Sequence, residues 1–310
     1  MNRSDTDRPL TGILCMLGFC VLAPLMDACA KATPAEVPAA EIVLGRFGIQ
    51  VLALVPLAIA MGHSLRCTGQ EALSHLLRAM ALLSATVLFF TAVREMPIAN
   101  AIAIFFVEPF ILTLLSAVIL KESIGPRRII ACIIGFGGAL LIIRPSFSEL
   151  GLVALFPLGT AFFFALYMVL TRMMSGKGHP VVMQAQTAIA ATLVLLPVLV
   201  LADGSDISYL DPVMPTGKAI YTLLGVGFFA TVSHIFITYA LKFAPAATIA
   251  PLQYLEIVSA TAVGYAIFGD MPDSLTFLGI AIIVGSGLYV FAREQAQGQR
   301  IIRRRPPPAP

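Results

Sequence analysis

PIANAIAIFFVEPFILTLLSAVILKESIGPRRIIACIIGFGGALLIIR, residues 97–144, lies without a gap on PAATIAPLQYLEIVSATAVGYAIFGDMPDSLTFLGIAIIVGSGLYVFA, residues 245–292, after a shift of 148 positions. Pro97 falls on Pro245, Glu108 on Glu256, Glu122 on Asp270, Gly137 on Gly285 and Leu140 on Leu288. Only eight of the 48 positions are identical, and several are aliphatic matches that any two membrane helices share. The in-frame prolines and glutamates are the informative part. A duplicated helical bundle with paired intramembrane carboxylates points to the movement of a small solute.

Composition places the chain in a bilayer. The 310 residues are 58% hydrophobic and 12% charged, with mean hydropathy +0.92, whereas a soluble domain is about 25% charged. No basic patch with interleaved aromatics suggests nucleic acid. Cys15, Cys20, Cys29, Cys67 and Cys132 occur singly, with no CxxC pair and no His at zinc spacing, so neither a disulfide framework, a metal nor another cofactor is indicated. A nucleotide-cradling GxxxxGK[ST] is missing, as are HExxH and GxSxG, which argues against an ATPase or a hydrolase; the chain reads as no enzyme.

Ten stretches meet the need for about 20 mostly apolar residues per span. They are roughly 11–30, 39–61, 75–93, 97–119, 126–143, 150–171, 180–201, 218–241, 246–268 and 274–292. The expected fold class is therefore all-α and polytopic. The first stretch imitates a signal peptide, with Ala28-Cys29-Ala30 as an A-x-A-like site. It is long for such a segment and Asp27 precedes the site, so it is read as a spanning helix.

Lys and Arg asymmetry gives the orientation. With the N-terminus in the cytoplasm, 15 of the 20 basic residues fall inside, Arg66, Arg78, Lys121, Arg172 and Lys242 among them. Four fall outside, and Arg46 lies within the second span. Both termini are then cytoplasmic. Ten spans divide as five plus five, and an odd number per half inserts the second copy upside down, as an inverted repeat. The boundaries expected are a tail over 1–9, a first repeat over 10–145, a second over 146–293 and a basic, Pro-rich tail over 294–310.

Charged residues inside the spans are the candidate site. Glu108 and Glu256 each lie eleven residues after the proline that opens their helix, about 16 Å deep at 1.5 Å per residue. A carboxylate at that depth costs several kcal/mol unless protonated or paired, so both should face the interior. Arg46 can reach a midplane acid, either to neutralise Glu108 or to bind an anionic solute group. Asp27 and Lys31 share a helix face at i, i+4. Gln253 and Tyr254 stand beside Glu256, opposite Phe105 and Phe106 in the other copy, and would suit a planar, polar ligand. His234 and Tyr167 are further candidates for the substrate or proton pathway. Lys31, Glu41, Glu122, Asp270 and Arg172 read as structural charges: Glu41 on its helix N-terminus, Arg172 a lipid-facing anchor, Glu122 and Asp270 on loop amides or nearby cations. Gly135, Gly137 and Gly138, with Gly285 and Gly287, read as close helix packing.

The run from Pro97 through Glu108-Pro109 to Lys121-Glu122, with the Gly-rich helix ending Ile143-Arg144-Pro145, resembles the EamA domain of the drug/metabolite transporter superfamily. Ala244-Pro245-Ala246-Ala247 through Tyr265, Phe268-Gly269-Asp270, Pro272-Asp273 and Ser286-Gly287-Leu288-Tyr289 resembles its second copy. The resemblance covers roughly residues 10–294. It implies a ten-helix inner-membrane carrier with two inverted five-helix repeats and a central cavity. Asp27 with Lys31, then Glu41 and Arg46, is similar to a branch holding riboflavin and S-adenosylmethionine importers; where that family usually has Glu, this chain has Asp270. The expected partners are a small-molecule substrate, the lipid bilayer and, as coupling ion, protons; a homodimer is left open. The rival reading is a membrane receptor or scaffold acting through its basic tail.

Overall fold

The computed structural model describes residues 8–95, 101, 104–122, 125–143, 151–176, 178–205, 207, 210–269, 274, 277–279, 281–282, 284–286 and 289. Asp270, the C-terminal tail, residues 1–7 of the N-terminal tail, Pro97 and Gly287 lie outside them; α1 begins at Pro9, so the expected tail over 1–9 overlaps the first helix. Among the described residues the structure is helical, with no strand. In order come α1 (Pro9–Ala32), α2 (Ala39–Ala60), α3 (Gly69–Glu95), α4 (Glu108–Ile119) and α5 (Pro126–Ile143). A 3-10 turn (Gly151–Ala154) leads into α6 (Leu155–Met174), followed by α7 (Pro180–Ala202) and α8 (Lys218–Phe243). The next span is composite: α9 (Ala246–Ile249), a 3-10 segment (Ala250–Leu255), α10 (Glu256–Val263) and a π turn (Gly264–Phe268).

Seven helical stretches are long and apolar enough to cross a membrane: α1, α2, α3, α6, α7, α8 and the composite Ala246–Ile267. Three shorter apolar helices, Glu108–Ile119, Ile129–Gly138 and Phe277–Ser286, fall within the remaining three predicted spans.

Local chemistry moves two predicted boundaries. The third helix starts at Gly69, six residues before its predicted start, because Thr68 and Glu71 form a capping box: Glu71 Oε2 accepts from the Thr68 amide (2.8 Å) and hydroxyl (2.9 Å), and Thr68 Oγ1 accepts from the Glu71 amide (3.3 Å). The fourth predicted span is broken within its described part. Phe106 and Val107 form a turn, and α4 restarts at Glu108 with Pro109 behind it. Proline cannot donate to the preceding turn, which ends the upstream helix there. The second copy breaks at the equivalent place, where the 3-10 segment holding Pro251 gives way to α10 at Glu256.

The halves exchange partners. α1 packs along α8 and α3 along α6; α2 packs along α7, α1 touches α10 and α4 touches α6. Phe106 and Tyr254, which hold the same position in the two copies, are in ring contact at 5.8 Å.

Of the glycines read as packing positions, Gly135 is one. A Cβ built there would press into the Tyr254 ring, whereas Gly137 and Gly285 have nothing within 4 Å. Those two therefore do not pack as expected among the described residues. Overpacking costs about 1–3 kcal/mol, and Ala is favoured over Gly inside a helix by about 1 kcal/mol. Gly135→Ala should lower the thermal unfolding midpoint in detergent, and Gly137→Ala should leave it unchanged or raise it.

Candidate functional site

Four predicted residues converge on one cavity. Asp27 from α1, Arg46 from α2, His234 from α8 and Glu256 from α10 line it together, along with Phe19, Phe89, Phe90, Phe105, Phe106 and Phe164. Both halves of the chain contribute. Its volume is about 80 Å³.

Arg46 is 3% exposed and organises the polar side. One terminal nitrogen donates to Thr86 Oγ1, and the other lies 2.7 Å from His234 Nε2. A guanidinium can only donate, so Nε2 is the accepting nitrogen and Nδ1 carries the proton. That proton faces the Ala230 carbonyl at 3.1 Å. The Thr86 hydroxyl sends its own proton to the Leu82 carbonyl at 2.8 Å, which leaves its oxygen free to accept from Arg46. Phe47 stacks beneath the guanidinium at 5.1 Å, and Asp27 supplies the nearby negative charge. Of the two readings of Arg46, neutralisation of Glu108 does not match these contacts.

The two glutamates differ in setting. Glu256 faces the cavity and lies within electrostatic reach of Asp27 and Glu108. Glu108 is 0% exposed, behind the cavity wall, and among the described residues no group meets hydrogen-bond geometry with either carboxylate oxygen. Gln253 is the polar side chain beside it. Tyr254 is equally buried, its hydroxyl without a hydrogen-bond partner among the described residues and its ring against Phe106. Gln253 and Tyr254 therefore stand with Glu108 and not on the cavity surface.

The remaining predicted charges lie elsewhere. Lys31 is in the last turn of α1. Glu41 accepts the Val213 amide at 3.0 Å, tying the long loop to α2. Glu122 accepts the amides of Ala246 (3.3 Å) and Ala247 (3.1 Å), and Arg172 Nε stands 3.5 Å from it. Arg172 also donates to the Leu241 carbonyl at 2.9 Å, so it is a helix–helix tie and not only an anchor to lipid.

Sequence reasoning missed Arg78, which it counted among the cytoplasmic loop charges. Arg78 is 0% exposed in the body of α3. Its Nε donates to Thr171 Oγ1 (2.7 Å), and one terminal nitrogen to the Met183 carbonyl (3.0 Å) and to Thr187. The other donates to Tyr167 Oη (3.1 Å), Gln184 Oε1 (2.9 Å) and Thr238 Oγ1 (3.2 Å). Tyr167 thus belongs to Arg78, with its ring also 4.8 Å from the guanidinium. The available signal was position: Arg78 stands inside the predicted span, flanked by Leu76, Leu77 and Ala79.

A second, polar pocket of about 430 Å³ opens at the N-terminal ends of α3 and α7, lined by Arg66, Cys67, Glu71, His75, His179 and Gln186 among others. His179 caps α7 through Nδ1, which accepts the Val181 amide at 3.4 Å. Burial, then His63 and Lys242, hold its pKa below the ordinary imidazole value.

The model of the EamA-like transporter family matches residues 10–144 and 151–292. The chain belongs to that family. It is 26% identical to a riboflavin transporter of Vibrio cholerae, over 94% of this chain and 96% of that protein. It is 30% identical to the pseudopaline exporter CntI of Pseudomonas aeruginosa over 84% and 88%, and 24% identical to an S-adenosylmethionine uptake transporter of Rickettsia prowazekii over 92% and 94%. One solved crystal structure superposes with a TM-score of 0.76 at 17% identity, covering 90% of this chain and 96% of that one, so the fold is shared. The chain is a multi-pass membrane protein of a transporter family within the drug/metabolite transporter superfamily.

Two outcomes follow from the site chemistry. In a double-mutant cycle of Arg46→Met and His234→Leu, read by unfolding in detergent, the two changes should couple by about 1–3 kcal/mol; additive losses would mean that the pair does not act as a unit. His179 carries a lowered folded pKa, so its contribution is present above about pH 6.5 and lost as pH falls. The stability of the unmodified protein relative to His179→Asn, a cap that does not titrate, should shrink from pH 7.5 to pH 5.5.

Proposed function

We propose that the protein is a secondary carrier that moves a small organic metabolite, vitamin-, nucleoside- or amino-acid-like, across a bacterial inner membrane through the cavity between its halves. The observation that carries this reading is the convergence of Asp27, Arg46, His234 and Glu256 from both halves on one aromatic-walled space. Charged groups of both signs on an aromatic-walled, mostly apolar space suit a planar solute with polar groups. The named relatives act on riboflavin, S-adenosylmethionine and pseudopaline, all consistent with that chemistry.

Ten helices in two inverted repeats, 10–145 and 146–293, with both termini cytoplasmic, supply the means of opening the cavity alternately to each side. Several contacts support that arrangement. The first helix of each half packs on the third of the other, and the second packs on the second. Phe106 touches its repeat mate Tyr254, as residues near a two-fold axis must. The orientation does not depend on counting Arg78, because loop and tail charges retain the same bias.

Of the two acids, Glu256 is assigned to meet the solute and Glu108 to act behind the wall with Gln253 and Tyr254. A proton shared among Asp27, Glu108 and Glu256 as solute binds would couple transport to the proton gradient. In proteoliposomes, uptake should be found with a panel of riboflavin, S-adenosylmethionine and amino acids. Glu256→Gln should reduce the initial rate at least ten-fold, and an imposed pH gradient should change it. Full activity of both Glu108→Gln and Glu256→Gln would remove the acids from the mechanism, and indifference to the gradient would exclude proton coupling.

A further inference from the structure

One face of α3 passes through three environments in succession. Glu71, Ser74 and His75 line the polar pocket, Arg78 is fully buried, and Leu82, Ala85 and Thr86 line the cavity. Seven residues separate His75 from Leu82, about 10 Å along the axis. The neighbouring helices repeat the order. On α6, Phe164 lines the cavity, Tyr167 and Thr171 bind Arg78, and Met174 lines the pocket. On α8, His234 lines the cavity, Thr238 binds Arg78 and Tyr239 bonds the pocket's His179 at 3.2 Å. From α7, Gln184 and Thr187 accept from Arg78, while Val182 and Gln186 line the pocket. The layer held by Arg78 is thus the partition between the two spaces.

The chemistry of this layer is unbalanced. Every acceptor that Arg78 uses is neutral: three threonine hydroxyls, a tyrosine, an amide oxygen and a backbone carbonyl. A charge-assisted bond to an oxyanion is roughly twice as strong as a neutral one, so an arriving oxyanion can displace these acceptors. The pocket side suits an anion. It carries Arg66, His63 and His179 and the N-terminal ends of two long helices, whose dipoles favour negative charge. The acid there, Glu71, is engaged in capping α3. His75 stands between pocket and Arg78, and among the described residues its buried Nδ1 has no hydrogen-bond partner.

We propose that Arg78 closes the cavity against the polar pocket, and that a carboxylate or phosphate group on the solute engages its guanidinium from the pocket side and parts the layer. The solute in this proposal rests on the transport reading; the partition does not. Cysteine accessibility tests it in membranes, with the five native cysteines replaced by alanine and Ala85→Cys added on the cavity side. A chain retaining only Cys67, which lines the pocket, first identifies the membrane face on which the pocket opens. From that face, a membrane-impermeant maleimide should label Ala85→Cys at least ten-fold faster when Arg78→Ala is added. Inorganic phosphate should speed labelling several-fold over chloride at equal ionic strength, and only when Arg78 is present. Equal rates with and without Arg78 would overturn the partition, and equal effects of phosphate and chloride would overturn the oxyanion role. If Arg78→Ala does not fold, Arg78→Lys, which keeps the charge but not the five-donor fork, should accelerate labelling in the same direction. Loss of uptake in every assay with this labelling pattern intact would remove the transport reading and leave the partition standing.

Discussion

A guanidinium inside a bilayer must keep its N–H donors bonded without help from water, and Arg78 meets that demand by drawing on α6, α7 and α8 at once. The demand constrains all four helices, because a planar fork with fixed donor directions accepts few arrangements of partners. Threonine supplies the acceptors by a repeated device. Thr171, Thr187 and Thr238 send their hydroxyl protons back to the carbonyls of Tyr167, Met183 and His234, four residues earlier, at 2.7, 2.9 and 2.6 Å. Each oxygen then has only lone pairs to offer. Thr86 does the same for Arg46. Two buried cations are thus held by hydroxyls whose direction the helix backbone dictates, and a one-turn slip of any of these helices would strand donors that hydrocarbon cannot satisfy.

Much of the fold was legible because membrane constraints act on composition directly. Runs of apolar residues, in-frame Pro97 and Pro245, and in-frame Glu108 and Glu256 are visible without a structure. The breaks at the two glutamates were not, because apolar content continues through Phe106-Val107 and through Leu252–Leu255 while the backbone does not. Hydropathy measures side chains, whereas these breaks concern where carbonyls and amides find partners near Pro109 and Pro251. The early start of α3 was hidden for the opposite reason: Thr68 and Glu71 are polar, and their capping bonds lie outside any apolar window. Among site residues, Asp27, Arg46, His234 and Glu256 stood out as charges or a histidine within spans. Arg78 did so equally, but loop counting absorbed it, and only the threonines and glutamine on three other helices reveal its role.

The two acids show how a duplication diverges. Both begin a helix after a break, so each carboxyl stands at the positive end of a helix dipole. That shared feature comes from backbone position and survives the loss of most sequence identity between the copies. Their surroundings come from side chains and have separated. Glu108 sits with Gln253 behind Phe106 and Tyr254, and Glu256 looks into the cavity toward Asp27 and Arg46. An exact two-fold site would present two identical acids to an asymmetric solute. Because the neighbours differ, Glu256 faces the cavity and Glu108 does not, although both keep the helix break.

The same logic explains why the cavity's polar contacts are few and shared. Arg46 ties Thr86 of α3 to His234 of α8, and Arg78 ties α3 to α6, α7 and α8. Arg46 thus joins the halves from α2 and Arg78 joins them from α3, and between Arg78 and Thr86 the α3 face is apolar, at Leu82 and Ala85. Apolar contacts have no preferred direction and tolerate sliding, whereas the two hydrogen-bonded levels resist it until their acceptors are replaced. The resistance to sliding therefore sits where two arginines, one on α2 and one on α3, interrupt otherwise apolar helices.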